Sequence, residues 1–259
     1  MYPMKDKVVL ITGASSGIGR SCTRAFAEKG ARLILAARRY ERLEDLAVEL
    51  NRKLGEDIFF FVLDVRDQPA VERAVTELPA GWRDIDVLVN NAGLSRGLDK
   101  LHEGKLEDWE EMIDTNIKGL LYVSRAVIPG MVKRGEGHII NIGSIAGYEV
   151  YPGGNVYCAT KFAVRALSKA LRLDLNGTNI RVSEVSPGMV ETEFSLVRFR
   201  GDKERAAKVY QGLTPLSPDD IADAVVYCAT RPPHVNISEI MVMPTAQASA
   251  TMLHRKPPN

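Results

Sequence analysis

Short apolar runs alternate with longer stretches of helical periodicity along this chain. The apolar runs predict strands at 8–11, 32–37, 58–63, 87–89, 138–142, 180–185 and 239–242. The periodic stretches predict helices at 18–29, 42–54, 69–78, 106–132, 156–175, 205–210 and 219–230, and the long fourth helix should bend or end near Pro129. Apolar strands that alternate with helices are typical of a parallel sheet covered on both faces, so the pattern indicates an α/β fold.

No linker, internal repeat or low-complexity segment interrupts this alternation, which therefore predicts one domain over 1–259. With 259 residues, of which 45% are apolar, the chain is long enough for a single large core. The tail at 244–259 carries small and polar residues, and we expect it to be either frayed or docked on a partner subunit.

Charge and cysteine content narrow the choice of partners. The formal net charge is +1, which favours neither nucleic acid nor a membrane surface. Because Cys22, Cys158 and Cys228 are odd in number and far apart, neither a disulfide framework nor a metal site is predicted. A membrane span needs about 20 consecutive apolar residues, and since no stretch approaches that length we expect a soluble, cytoplasmic protein.

A glycine-rich turn joins the first strand to the first helix. Its glycines, Gly13, Gly17 and Gly19, would let a phosphate approach the backbone, and the following helix offers free N–H groups and a positive dipole end. The residues between them, Ser15, Ser16 and Ile18, complete a candidate pyrophosphate site. The alternative is a glycine-rich turn without a ligand.

The end of the second strand indicates which dinucleotide would bind. An NAD-binding fold places an acidic residue here to hold the ribose 2′-hydroxyl, whereas this chain has Ala37, Arg38 and Arg39. Arginine can hold a 2′-phosphate through charge-assisted hydrogen bonds, which favours NADP. The alternative is that both arginines are solvated residues at the start of a helix.

A tyrosine and a lysine four residues apart form the candidate acid–base pair. Tyr157 and Lys161 lie on one face of the predicted helix at 156–175, downstream of Ser144. A nearby ammonium favours the phenolate and should lower the pKa of Tyr157 toward neutrality, as a general acid or base requires. Taken alone, the pair is more typical of a solvated helix face.

Together, these residues resemble the classical short-chain dehydrogenases/reductases over nearly the whole chain. The matching motifs are 12–19, Asp64-Val65, 90–93, Asn116, Ser144, Tyr157-x-x-x-Lys161 and Pro187-Gly188. The resemblance implies a single Rossmann-like, doubly wound domain with a seven-stranded parallel sheet, and a reaction that needs no metal.

The resemblance also implies a role for each matching residue. Tyr157 would be the catalytic acid or base, and Lys161 would hold the nicotinamide ribose. Ser144 would hydrogen-bond the substrate oxygen, and Asn116 would hold a water in the proton relay. The cofactor would contact Asp64 and Val65 with its adenine, Asn91, Ala92 and Gly93 along the central strand, and Pro187, Gly188, Val190 and Thr192 at the nicotinamide.

A narrower resemblance points to the NADP-dependent 3-hydroxy acid dehydrogenases within this family. It rests on the segments 78–82, 108–110, 128–132, 153–157, 197–202 and 234–237. It implies oxidation of the 3-hydroxyl of serine, allo-threonine or a simple 3-hydroxy acid, in a homotetramer whose long helices at 106–132 and 156–175 pair across subunits.

The substrate-binding residues are the least defined part of the prediction. The family carries a mobile lid, here expected at 191–215, from which Arg198 or Arg200 could hold a substrate carboxylate. The alternative is that both are solvated. A reductase of a bulkier ketone or a 3-oxoacyl substrate would share the same catalytic residues, whereas an NADP-sensing regulator or a purely structural oligomer would not need them together.

Overall fold

A computed structural model of the protein describes residues 3–54 and 58–256. In this part of the chain the strands form one parallel sheet in the order β3-β2-β1-β4-β5-β6-β7. The strands are β1 Val8–Thr12, β2 Arg32–Ala37, β3 Ile58–Val62, β4 Ile85–Asn90, β5 Gly137–Ile142, β6 Ile180–Pro187 and β7 Glu239–Val242. The predicted fold class and the seven parallel strands are confirmed.

Helices cover both faces of the sheet. They are α1 Gly17–Ala27, α2 Tyr40–Leu54, α3 Gln68–Thr76, α4 Leu106–Ile113, α5 Leu120–Arg134, α6 Asn155–Asp174, α7 Phe194–Arg198, α8 Lys203–Tyr210 and α9 Pro218–Ala229. One apolar core joins α1, α2 and α9 to the sheet, and a second joins α3, α5 and α6 to the opposite face. Burial of each large aliphatic side chain in these cores contributes about 1.5–3 kcal/mol.

The strand order places the functional cleft. In the sheet, β2 lies on one side of β1 and β4 lies on the other. The loops that follow β1 and β4 therefore lead away from each other and leave a crevice between them at the carboxyl edge of the sheet. Ligands of doubly wound folds bind at this point. The glycine turn follows β1 directly, which puts it at the edge of that crevice.

The helix predicted at 106–132 differs from the prediction in where its regular winding is interrupted. α4 ends at Ile113, a π-helical segment spans Asp114–Gly119, and α5 then continues beyond Pro129. α5 ends instead at Gly135, whose φ of +70° is left-handed. The α-helical winding is therefore interrupted by the wider π-helical turns, and the helix does not end at Pro129.

The described part of the tail packs against its own chain, so it is not frayed, and docking of 244–259 on a partner subunit stays a prediction. The Gln247 side-chain oxygen accepts a hydrogen bond from Met189 N at 2.8 Å, and Lys256 N donates to Gly212 O at 2.8 Å. These polar contacts give the tail partners within its own subunit. Residues 257–259 lie outside the described residues.

Two absences hold for residues 3–54 and 58–256. None of their helices combines the length and apolar character needed to cross a membrane. Their histidine, cysteine and acidic side chains also form no cluster of three that could hold a metal ion.

Candidate active site

A single cleft at the carboxyl edge of the sheet gathers most of the predicted site residues. Its walls include Gly13, Ser15, Ser16, Gly17, Ile18, Arg38, Arg39, Asp64, Val65, Asn91, Ala92, Gly93, Ser144, Tyr157, Lys161, Pro187, Gly188, Val190 and Thr192. Four predicted residues, Gly19, Asn116, Arg198 and Arg200, do not line the wall itself. These residues lie in α1 and α6 and at or just after the carboxyl ends of β1 to β6, so six of the strands contribute to the site.

The glycine turn leaves room that side chains would fill. Gly13 and Gly17 have φ values of +66° and +50°, which L-residues with a side chain rarely adopt. A Cβ on Gly19 would lie 2.4 Å from Gly13 O, so Gly19 serves the packing of helix against turn rather than the wall. The bare backbone at the start of α1 therefore fits a pyrophosphate.

Asn91 ties the two edges of the crevice together. Its side-chain Nδ2 donates to Thr12 O at 2.9 Å, and the backbone N–H of Asn91 donates to the Thr12 hydroxyl at 3.1 Å. A Cβ on Gly13 would lie 2.8 Å from this same Nδ2. Asn91 therefore holds the ends of β1 and β4 in register below the cleft.

Basic side chains surround the end of β2, where a 2′-phosphate would lie. Arg39 donates to the Ser16 hydroxyl at 2.8 Å and pairs with Glu193 at 3.0 Å, and Arg42 pairs with the same carboxylate at 2.7 Å. Hydrogen bonds from Arg42, followed by those from Arg39, lower the pKa of Glu193 despite its partial burial. This electropositive corner fits a phosphate, and Glu193 is the acidic group that faces it.

Asp64 stands beside this corner at the end of β3. Burial alone would raise its pKa, but hydrogen bonds from Arg66 outweigh burial and hold the pKa below its usual value. The carboxylate is therefore ionised and held at the cleft wall, and its expected contact with adenine stays a prediction.

Tyr157 and Ser144 meet at the inner end of the cleft. Ser144 follows β5, and its hydroxyl accepts from Ala146 N at 3.1 Å and lies near enough to the Tyr157 phenol to affect its pKa. Burial and the neighbouring Tyr151 raise the pKa of Tyr157 above that of a free phenol, while Arg198 and Ser144 oppose the rise. The expectation that this pKa falls toward neutrality is therefore wrong for the protein as described.

Lys161 lies one helical turn beyond Tyr157, and its ammonium is bound at the end of β5. Its Nζ donates to Ile142 O at 2.9 Å, at the end of β5. Burial lowers the pKa of Lys161 to about 8, and Glu184 opposes that shift. The hydrogen bond of the ammonium goes to the backbone of β5, and the predicted direct effect of Lys161 on the pKa of Tyr157 stays a prediction.

The π-helical segment places Asn116 against the loop after β4. Its Oδ1 accepts from Leu94 N at 2.9 Å, and its Nδ2 donates to Leu94 O at 2.8 Å and to the Thr160 hydroxyl at 3.0 Å. A Cβ on Gly93 would lie 3.2 Å from this Oδ1 and 3.8 Å from Lys161 Nζ. Asn116 and Lys161 therefore flank Gly93, and the water relay expected there stays a prediction.

The two arginines of the expected lid have different environments. Arg198, at the end of α7, donates to the Ser95 hydroxyl at 3.1 Å and to the Tyr151 hydroxyl at 3.0 Å. Its guanidinium carbon lies 5.3 Å from the centre of the Tyr157 ring. Arg200 has a left-handed backbone and pairs with Asp108 instead, so the structure does not bring it to Tyr157.

Sequence reasoning missed several residues of the site. Glu193, Ser95 and Tyr151 have no motif of their own, and their roles follow only from the arginines they bind. Arg96 donates to Val197 O and pairs with Glu111 at 2.6 Å, which holds α7 against the loop after β4. The short helix α7 itself has five residues, too few for a periodic signal.

The fold and this site define a class of protein. The short chain dehydrogenase family model matches residues 7–202, and the chain belongs to that family. The predicted family and the enzyme class, an oxidoreductase, are therefore confirmed.

Among individual proteins, the chain is similar to the NADP-dependent 3-hydroxy acid dehydrogenase YdfG of Salmonella typhi. The two are 54% identical over 96% of this chain and 99% of the relative. Sulfoacetaldehyde reductase 2 of Chromohalobacter salexigens is 48% identical over 93% of this chain and 95% of the relative. The closed form of a serine dehydrogenase complexed with NADP+ superposes with a TM-score of 0.90 at 50% identity, covering 96% of this chain and 100% of that structure.

Proposed function

We propose that the protein is an NADP-dependent oxidoreductase that transfers a hydride between the cofactor and C3 of a small 3-hydroxy acid. Substrates of the L-serine, L-allo-threonine and 3-hydroxypropionate type fit this proposal. The names of the relatives support it, since they include an NADP-dependent 3-hydroxy acid dehydrogenase and a serine dehydrogenase with NADP+. The geometry adds a cation beside the candidate acid–base residue.

Different residues of the cleft would bind different parts of the cofactor. The turn from Gly13 to Ile18 would hold the pyrophosphate, and Arg38 and Arg39 would hold the 2′-phosphate. The remaining contacts are those that the family resemblance implies. The adenine would contact Asp64 and Val65, and the nicotinamide ribose would contact Lys161. The cofactor would pass Asn91, Ala92 and Gly93 along the central strand, and its nicotinamide would lie under Pro187, Gly188, Val190 and Thr192. When bound, the nicotinamide would accept or supply the hydride.

Tyr157 would transfer the proton that accompanies the hydride. Because burial raises its pKa, the phenol is protonated at neutral pH and ready to donate to a carbonyl oxygen in reduction. In oxidation the phenol must first lose that proton, which Arg198 and Ser144 assist. Ser144 would hold the same substrate oxygen, and Asn116 would anchor the proton relay.

The position of Arg198 is the observation that carries the choice of an anionic substrate. Its guanidinium lies 5.3 Å from the centre of the Tyr157 ring and is held there by Ser95 and Tyr151. A cation fixed this close to the Tyr157 ring suits a substrate whose carboxylate lies one or two carbons from the reacting carbon. Arg200, paired with Asp108, would anchor the lid at 191–215 rather than contact substrate.

The first test is NADPH formation from NADP with L-serine, L-allo-threonine and 3-hydroxypropionate, with Tyr157→Phe as the control. Turnover that Tyr157→Phe abolishes would support the proposal and rank the substrates. Tight NADP binding without turnover of any of these acids would contradict the proposed substrate and direct the search to bulkier ketones, 3-oxoacyl substrates or a sensing role.

A second candidate is reduction of a short aldehyde that carries a sulfonate. The sulfoacetaldehyde reductase relative suggests it. In 2-hydroxyethanesulfonate one carbon separates the sulfur from the carbinol carbon, as one carbon separates the carboxylate from the carbinol carbon in 3-hydroxypropionate. Because Arg198 could hold either anion, adding 2-hydroxyethanesulfonate to the substrate panel distinguishes the two.

We also propose a homotetramer in the cytoplasm. Helices α5 and α6 carry exposed apolar side chains, among them Leu121, Phe162 and Leu173, which pairing across subunits would bury. The three cysteines are unpaired, which suits a reducing compartment. Light scattering of the purified protein tests the assembly, and a monomer would contradict it.

A further inference from the structure

A buried carboxyl group lies beneath the candidate active site with no role in the mechanism above. Glu184 is in β6 and has an exposed fraction of 0%. Side chains alternate along a strand, so Glu184 shares its face with Val182 and Ser186, and Val182 packs in the core that contains α6. Glu184 therefore faces the helix that carries Tyr157 and Lys161.

The space for this carboxyl exists because residue 143 is glycine. A Cβ on Gly143 would lie 2.4 Å from Glu184 Oε1 and 2.3 Å from the Ser186 hydroxyl. Ile142, the residue before it, accepts the hydrogen bond from Lys161 Nζ at 2.9 Å. The carboxyl and the ammonium thus flank the same two residues at the end of β5, directly below Ser144.

Glu184 is poorly compensated by hydrogen bonds. Its Oε1 accepts from the Ser186 hydroxyl at 2.7 Å, whereas its Oε2 is buried without a hydrogen-bond partner among the residues described. A buried carboxylate is costly unless a charge compensates it. An apolar side chain would serve packing better, so the carboxyl calls for another explanation.

Charged and titratable groups face Glu184 from each neighbouring element. Lys161 and Arg165 face it from α6, Glu239 from the adjacent position on β7, and Tyr148 from the segment after β5. Glu239 lies within ion-pair distance of Arg165, Lys169 and Arg172 toward the surface, and it accepts from the Tyr148 hydroxyl at 2.7 Å. Glu184 is therefore the carboxyl that faces inward to Lys161.

We propose that Glu184 is a positioning residue whose carboxylate keeps the Lys161 ammonium charged beneath the active site. The proposal rests on the role given to Lys161 in the proposed function. Burial lowers the pKa of Lys161 to about 8, and Glu184 is the charge that opposes this loss. Without the carboxylate, Lys161 would be neutral over part of the physiological range and would hold a ribose hydroxyl less strongly.

The test is NADPH binding followed by fluorescence as a function of pH. Glu184→Gln keeps the shape of the side chain and removes its charge. We expect the pH at which NADPH affinity falls to shift downward by about 1 unit, because an opposite charge at close range moves a pKa by that order. Glu184→Asp should restore the wild-type midpoint, and Glu239→Gln, one strand away, should leave it unchanged.

A merely structural role for Glu184 predicts a different result. Folded Glu184→Gln with an unchanged midpoint, whatever its thermal stability, would overturn the proposal. If Glu184→Gln does not fold, Glu184→Met takes its place, because an apolar side chain of similar volume also removes the charge. The NADPH midpoint should then move downward as in Glu184→Gln, and no shift in a folded Glu184→Met would overturn the proposal.

NADPH binding tests the role of Glu184, and turnover of a 3-hydroxy acid tests the proposed function separately. The binding measurement needs no substrate, so a shifted midpoint supports Glu184 even if no 3-hydroxy acid is turned over. Where turnover is found, the alkaline limb of kcat/KM should move by the same amount in Glu184→Gln and stay in place in Glu239→Gln.

Discussion

The carboxylate of Glu193 bonds the guanidinium of Arg39 across the mouth of the cleft, with 3.0 Å between Oε2 and Nη1. Glu193 follows Thr192 just before α7, and Arg39 follows β2, at whose end a 2′-phosphate would lie. Glu193 therefore binds the same arginine, Arg39, that the 2′-phosphate of the proposed cofactor would need.

This contact predicts competition between Glu193 and the 2′-phosphate. In Glu193→Gln the like charge is removed, so NADPH affinity should rise about fivefold, the effect of about 1 kcal/mol of charge repulsion near a surface. NADH, which has no 2′-phosphate, should bind unchanged and serves as the control. A fall in NADPH affinity, measured by fluorescence titration, would mean that Glu193 orders the arginines instead.

Replacement of Arg39 tests the cofactor preference itself. Arg39→Ala removes a charge-assisted hydrogen bond worth about 1.5–3 kcal/mol, so NADPH affinity should fall roughly 10- to 100-fold. The affinity for NADH should change little, because it lacks the group that Arg39 would bind. Equal losses for both cofactors would argue against a 2′-phosphate contact.

Arg198 and Arg200 form a matched pair for testing the anion site. Because Arg198 lies beside Tyr157, Arg198→Ala should raise KM for 3-hydroxypropionate about 30-fold, as expected for loss of about 2 kcal/mol of ion-pair binding. An uncharged alcohol should be affected much less. Arg200→Ala should leave KM for the carboxylate within about twofold, and steady-state kinetics that show equal effects of both changes would contradict the assignment.

A buried histidine makes stability depend on pH. Burial, and then the nearby Arg181, hold the pKa of His138 well below 6.5 in the folded state. Between the two pKa values the unfolded chain binds more protons, so the free energy of unfolding should fall as pH drops below about 6.5, by up to about 1.4 kcal/mol per pH unit. His138→Asn should flatten this slope in chemical denaturation, and a slope equal to that of the wild type would exclude His138 as its source.

The fold could be predicted because its signals are local. Apolar runs marked every strand to within a few residues, and the glycine turn after β1 identified the cofactor side of the sheet. The π-helical segment Asp114–Gly119 was missed because one wider turn inside a helix leaves no period of its own in the sequence.

The electrostatics of the site could not be predicted from spacing. Helical spacing placed Tyr157 and Lys161 on one face of α6, but the ammonium donates to the backbone oxygen of Ile142 in strand β5. Glu193 lies 154 positions from Arg39, and no motif around either residue predicts the contact between them. Burial raises the pKa of Tyr157 and lowers the pKa of Lys161, and how deeply each is buried depends on the packed neighbours rather than on the motif.

The tail has a practical consequence for anyone who handles this protein. Through Gln247 and Lys256 it holds Met189 and Gly212, which stand on either side of α7 and α8. β1 begins near the amino end, at the edge of the sheet opposite to the cleft. An affinity tag ahead of β1 would thus lie on the far side of the sheet from the cleft, whereas one fused after Lys256 would lie next to the segment that carries α7 and α8.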